Sequence, residues 1–225
     1  MRPTSCADAM REAGAAVADS AGGAALIAFH VLASIPLRRW RTTWGATPAE
    51  VGETLPGDES VPHPAWQYTH AIDIDTTPDH VWPWLIQLGQ QRAGFYSYRG
   101  LENMVGCNIT SATGLDPRFQ TLAVGDSVLL HPQSPPLTVT MVDDGRAFVL
   151  LGADPDSADR ALWSFHLRAL PGGRTRLIER GRYSHSTSLK SRLIFGRYFI
   201  EPIGFVMSRK MLRTIAANAS AAQHI

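Results

Sequence analysis

Lysine is almost missing: only Lys190 and Lys210 stand among the 21 basic residues, the other nineteen being arginine. Basic excess is missing too. Twenty acidic residues leave a net charge of +1, which excludes the electropositive footprint of a dedicated nucleic-acid binder. With only Cys6 and Cys107, neither a disulfide framework nor a cysteine zinc cluster can be built. The sequence contains no glycine-rich phosphate loop, no His-Glu-x-x-His, no Gly-x-Ser-x-Gly and no Cys-x-x-Cys, so no cofactor is implied. His63, His70, His80, His131, His166 and His185 share no metal-ligand spacing, and no metal is expected. Charged residues make up 18%, below the roughly 25% usual in soluble domains, while 44% are hydrophobic. That balance excludes wholesale disorder. At 225 residues the chain can bury a self-sufficient core, as one generous domain or two very small ones.

What is present is unevenly spread. Ala21 to Leu37 carries no charge, and extending the run back to Ala13 adds only Asp19. Arg38, Arg39 and Arg41 follow at once, with Trp40 and Trp44 among them. Arginines and tryptophans at the edge of an apolar run are what an interfacial anchor looks like, and the basic excess after the run predicts the main domain on the cytoplasmic side. Two other readings stand beside a spanning helix over 21–37. One is a surface helix packed on protein in a soluble cytoplasmic chain. The other is a signal peptide, disfavoured because the arginines follow the apolar core instead of preceding it.

Between Gly45 and Pro64, glycines and prolines alternate with Glu50, Glu53, Asp58 and Glu59. This predicts an irregular connector over 42–65, between an N-terminal segment of residues 1–41 and one folded domain over 66–225. From Trp66 to Asp75 apolar and polar residues alternate as in a strand, with Trp66, Tyr68, His70, Ile72 and Ile74 on one face. Thr77-Pro78-Asp79 opens a helix, and a second helix is expected over Ser97–Val105. Ser127–His131, Leu137–Val142, Arg146–Leu151, Ala161–Leu170 and Arg174–Ser184 read as serial strands closed by turn signals such as Asp143-Asp144-Gly145 and Pro171-Gly172-Gly173. Such a series is an antiparallel meander. Residues 189–200 read as helical, and a long C-terminal helix opens at Glu201-Pro202 with Ile203, Val206, Met207, Met211 and Ile215 on one face.

That order, and the wording over Trp40–Ala219, resembles the SRPBCC superfamily of START-like and polyketide cyclase-like proteins. The stretches that carry the resemblance are Trp44-Gly-Ala-Thr47, Leu55-Pro-Gly-Asp58, Pro78-Asp-His-Val-Trp-Pro-Trp-Leu-Ile-Gln-Leu-Gly89, Gly94-Phe-Tyr-Ser-Tyr98, Leu101-Glu-Asn103, Val124-Gly-Asp126, Leu130-His-Pro132 and Glu201-Pro202 with Phe205-Val-Met207 and Arg209-Lys-Met211. They are similar to a bacterial branch whose members often start with membrane helices. The resemblance implies an α+β helix-grip fold, in which a curved antiparallel sheet wraps a long C-terminal helix and leaves an apolar cavity. It does not settle activity.

With such a cavity in view, three residues are candidates for acid–base work. Glu102 would have a raised pKa in apolar surroundings, His131 could shuttle protons, and Tyr96 belongs with Tyr98, Glu102 and Asn103 to the densest polar-aromatic cluster. Trp84, Tyr96, Tyr98, Glu102, Asn103, His131, Trp163, Arg180, Phe205, Met207 and Met211 are the candidates to line a ligand site. Several have a plainer alternative. Glu102 pairs with Arg92 or Arg99, Tyr96 and Tyr98 pack with their hydroxyls outward, and His131 bonds a loop. Trp84 and Trp163 are core, and Arg180 with Arg182 forms a polar strand face. Three functions follow: binding of a hydrophobic small molecule or lipid by a membrane-tethered domain, a cyclase or dehydratase, or a non-catalytic structural or regulatory membrane protein.

Overall fold

The computed structural model describes residues 6–110, 112–153, 159–184 and 200–222, with residues 6–13 as backbone. Residues 189–199 of the expected helix over 189–200, and His185, lie outside the described residues. Two helices come first, α1 (Cys6–Leu32) and α2 (Ser34–Thr42), then a short α3 (Pro48–Gly52). Strand β1 (Trp66–Ile74) leads into α4 (Pro78–Ile86) and α5 (Arg99–Met104). Strands β2 (Ser127–Val128), β3 (Leu137–Asp143), β4 (Ala147–Ala153), β5 (Arg160–Leu170) and β6 (Arg174–Ser184) follow, and α6 (Ile200–Ala221) closes the described chain.

The six strands of the described residues form one antiparallel sheet in the order β1-β6-β5-β4-β3-β2. The first strand pairs with the last, and the rest are the meander that the turn signals predict. Its edge is weaker than expected: β2 keeps only two of the residues read as a strand over Ser127–His131.

Helix α6 crosses one face of the sheet. Its C-terminal half, with Leu212, Ile215 and Ala219, is buried with Val81, Leu85, Phe148, Leu150, Phe165 and Leu177 in the main core. Several fully buried side chains of that size contribute about 1.5–3 kcal/mol each. The N-terminal half of α6 faces a cavity instead.

The Pro/Gly-rich stretch is a strap across the other face of the sheet, not a free connector. Leu55 packs on Ala71 and Ile178, and Val61 on Val149 and Leu162. Thr47 caps α3 through a reciprocal bond with Glu50. Arg180 is fully buried beneath the strap. Its guanidinium donates to Asp58 Oδ2 at 2.6 Å, to the Glu50 carbonyl at 2.6 Å and to the Glu53 carbonyl at 2.8 Å. Arg176 binds Glu50 from the same strand face and holds its carboxyl down at about 2. The alternating arginines of β6 therefore fasten the strap, with Arg182 donating to the Val61 carbonyl.

Candidate functional site

A cavity of about 620 Å³ lies between the sheet and the N-terminal half of α6. Four segments close it. From the sheet come Leu137, Trp163, Glu179 and Tyr183. Ile203, Met207, Ser208 and Met211 come from α6, and Leu101, Glu102 and Met104 from α5. The last wall is α1, which contributes Ala24, Ile27 and Ala28. Met104 and Val105 line the cavity and are themselves 82% and 65% exposed, so it opens to the surface at the end of α5.

Small residues let α1 come this close. A Cβ at Gly23 would stand 2.7 Å from Cδ1 of Tyr98, and one at Gly100 would stand 2.0 Å from Oγ of Ser20. Where the chain turns from α1 into α2, the buried Arg41 donates to the carbonyls of His30 and Ser34, and to Glu201 at 2.7 Å. The expected apolar run is thus two helices packed against α5 and α6. The rest of its surface is bare: Val17, Leu26, Phe29, Leu32, Ile35 and Trp40 are exposed. Among the described residues one helix, over Gly14–Leu32, is long and apolar enough to cross a membrane.

The polar lining is concentrated in two places. Glu179, on β6 opposite His70 of β1, is buried and holds four donors. Tyr68 donates to its Oε1 at 3.0 Å and Trp163 Nε1 to the same oxygen at 2.7 Å, while Ser208 and His70 Nδ1 meet Oε2, the imidazole at 3.2 Å. The other imidazole nitrogen donates to the Arg41 carbonyl at 2.9 Å. Burial pushes the Glu179 carboxyl up, but the hydrogen bond and charge of His70, with the hydrogen bonds of Ser208 and Trp163, outweigh it and hold the group below the usual value. Tyr68 rises well above the phenol range through burial and the carboxylate beside it. A Cβ at position 181 would strike the Tyr68 ring at 2.2 Å, so Gly181 is what lets that ring reach Glu179.

Glu102 is the second place. It is 5% exposed, and Oε1 accepts from Ser97. Oε2 is buried without a partner among the described residues. Neither Arg92 nor Arg99 reaches it: Arg92 donates to the carbonyls of Ile86 and Phe119, and no ion pair forms at Glu102 among the described residues. Desolvation raises its pKa, and the Ser97 bond lowers it only in part.

Of the residues singled out in the sequence, Glu102, Trp163, Met207 and Met211 meet on the cavity wall. The others stand away from it. His131 Nε2 is bonded to the Val105 carbonyl at 2.7 Å, outside the cavity beside its opening. Tyr96 and Trp84 pack edge to face in the core, where the Tyr96 hydroxyl bonds Gln87 and burial pushes its pKa up to about 12. Tyr98 packs on Phe205 and Val206 between α1 and α6. The Asn103 side chain bonds both backbone groups of Ile109. Arg180 lies on the opposite face of the sheet under the strap. Glu102, His131 and Tyr96 therefore do not converge. Glu179, His70, Tyr68 and Ser208 were missed. The signal for them was a glutamate whose position in β6 puts it in line with Leu177 and Tyr183, opposite a histidine on the apolar side of β1. Among the described residues no group of three His, Cys, Asp or Glu is placed to hold a metal.

This is the α+β helix-grip architecture: a six-stranded antiparallel sheet, a long C-terminal helix across it and a cavity between them, with an apolar helix added at the N-terminus. No family model and no curated protein matches the chain. Similar solved structures include a protein of Nitrosospira multiformis (15% identical over 71% of this chain and 100% of that one, TM-score 0.45). Another is from Chromobacterium violaceum (10%, 68% and 96%, TM-score 0.40). A third is CalU16 of Micromonospora echinospora (13%, 69% and 84%, TM-score 0.32).

Proposed function

We propose that the protein binds a hydrophobic small molecule or lipid chain in its cavity and works at a membrane surface, as a member of the bacterial SRPBCC branch that its wording resembles. The observation that carries this reading is the cavity wall. It is built of Leu101, Leu137, Trp163, Ile203, Met207 and Met211, with room for a ligand of some size. Burying apolar ligand surface there yields about 25 cal/mol per Å² before the costs of association. Methionines on α6 suit ligands of varied shape.

The membrane seat is argued from α1 and α2. One side of the pair is spent on α5, α6 and the cavity, which leaves the bare apolar side to face lipid. Trp40 is half-exposed, and Arg38 and Arg39 follow the apolar run. An amphipathic pair of this kind lies in the interface, with cations at the headgroups. In this reading the cavity domain rests on the cytoplasmic leaflet and takes its ligand from the bilayer.

Native mass spectrometry of the chain extracted in mild detergent tests the first part. A retained apolar adduct of discrete mass is expected, and a chain without adduct that also fails to take up apolar probes overturns the reading. Liposome flotation tests the second part: the chain should float with anionic vesicles. A chain that stays at the bottom without detergent overturns the membrane seat.

A further inference from the structure

Resting on the membrane seat, a headgroup site can be placed on α6. We infer that Arg209 and Arg213, backed by the indole of Trp44, hold the phosphomonoester headgroup of a membrane lipid whose chains lie along the bare side of α1 and α2.

The two arginines stand four positions apart, on one face of α6. Their guanidinium carbons lie 5.5 and 5.7 Å from the centre of the Trp44 ring. Contact with an aromatic face holds a guanidinium without using its N–H donors. Those donors have no other use. Neither arginine has a carboxylate within 4.0 Å or a hydrogen bond among the described residues, whereas ten other arginines and lysines do have such a carboxylate. Lys210, between the two, is one of the ten, bonded to Asp19 at 2.8 Å. Arg213 is exposed. Of the Arg209 nitrogens only Nε is shielded from water, so the terminal donors of both side chains stay open.

The charge of the site selects the ligand. Like charges one helical turn apart repel. Burial and then the charge of Arg213 lower the Arg209 pKa, and no carboxylate acts against them. An anion bridging the pair removes that repulsion. A phosphomonoester carries about 1.5 to 2 negative charges near neutral pH, enough for both arginines, and its oxygens accept bidentate donors. A phosphodiester or carboxylate brings only one charge.

Phe205, one turn before Arg209, joins the site to the bare apolar side. Its ring meets Trp44 at 6.4 Å, Trp40 at 5.2 Å and His30 at 5.0 Å. Trp40 is 47% exposed, and Phe29, packed edge to face on His30, is 54% exposed. A headgroup at the arginines thus has apolar surface for its chains within two ring contacts.

Flotation of the full chain tests this near pH 8. Phosphatidylcholine vesicles carry either phosphatidate or twice as much phosphatidylglycerol, so that the surface charge matches. Binding to the phosphatidate vesicles should be about tenfold tighter, the ratio that one net charge-assisted hydrogen bond supplies. Arg209→Gln/Arg213→Gln should bring the two affinities together. Arg209→Lys/Arg213→Lys keeps both charges but loses the bidentate fork, and should narrow the preference while the chain still floats with phosphatidylglycerol. Equal binding of the wild-type chain to both vesicles, or a preference that survives the glutamine pair, overturns the inference and leaves the membrane seat standing. Release from phosphatidate vesicles by excess glycerol 3-phosphate would assign the site to a soluble phosphomonoester and overturn the lipid source. If the chain floats with neither vesicle, the membrane seat falls and this inference falls with it.

Discussion

The guanidinium of Arg41 meets the carboxylate of Glu201 at 2.7 Å, and both side chains are almost fully shielded from water. This contact ties the α1–α2 elbow to the first turn of α6. Breaking a buried pair strands the remaining charge and costs about 3–5 kcal/mol, whereas replacing both partners by apolar groups of similar volume is often neutral. Arg41→Met should lose that much in denaturant unfolding, and the double variant Arg41→Met/Glu201→Leu should be less destabilised than the single. A double variant as unstable as Arg41→Met would show that the ion pair is not the origin of the loss. Arg38, also bonded to Glu201 at 3.0 Å but half-exposed, limits the recovery.

Gly23 tests how α1 closes the cavity. Gly23→Leu forces a side chain into the Tyr98 ring, and overpacking of this kind costs about 1–3 kcal/mol. Because the strain falls on one helix contact, hydrogen exchange of the α1 amides should speed up about tenfold while β5 and β6 stay protected. Uniform acceleration through the sheet would mean that α1 is not a separable wall.

His166 gives the fold an acid-sensitive element on the strap side. Burial, aided by the nearby charge of Arg180, lowers its pKa to about 4, and Ser164 Oγ lies 3.0 Å from Nε2. The unfolded chain takes up a proton near 6.5 and the folded chain only near 4. Between those values the unfolded state binds more protons, so stability falls as the pH drops through this window, by roughly 3 kcal/mol in all. His166→Asn should flatten that slope in urea titrations at pH 7 and pH 4.5. An unchanged slope would remove His166 as its cause.

Glu179 works at lower pH. Its carboxyl lies below the ordinary 4.5 in the folded chain, so its contribution is complete above that value and is lost as the pH falls through the folded pKa. Glu179→Ala should cost about 3 kcal/mol or more at pH 7, since Tyr68, Trp163, His70 and Ser208 lose an acceptor together. The deficit should narrow below pH 4. A deficit that stays constant with pH would show that the cost comes from lost packing and not from the charge.

Much of the fold could be read from residue order. The alternation from Trp66 to Ile74 and the Pro171-Gly172-Gly173 turn placed β1, β5 and β6 within a residue or two, because period and turn chemistry are local. The strap escaped notice since its cause is not local. Spaced prolines and glycines look like a linker until Arg180, more than a hundred positions on, is seen to bind Asp58. The site divided in the same way. Trp163, Met207 and Met211 follow from the inward faces of their elements. Glu102 was legible only as an alternative to an ion pair, because nothing near it in the sequence says that Arg92 donates to carbonyl oxygens instead. Glu179 depended on register: its four partners come from β1, β5 and α6, and only pairing brings them to one carboxylate.

Pairing of the first strand with the last also sets a timetable. Arg41 is made 160 positions before the Glu201 that neutralises it, and Asp58 122 positions before Arg180. During synthesis the apolar α1 and the strap emerge long before the surfaces that will cover them. Such closures are slow, because the entropy of long loops must be lost before their contacts form. The nascent chain therefore carries an uncovered apolar helix for most of its translation, and what shelters that helix in the meantime is as much a condition of the fold as the core itself.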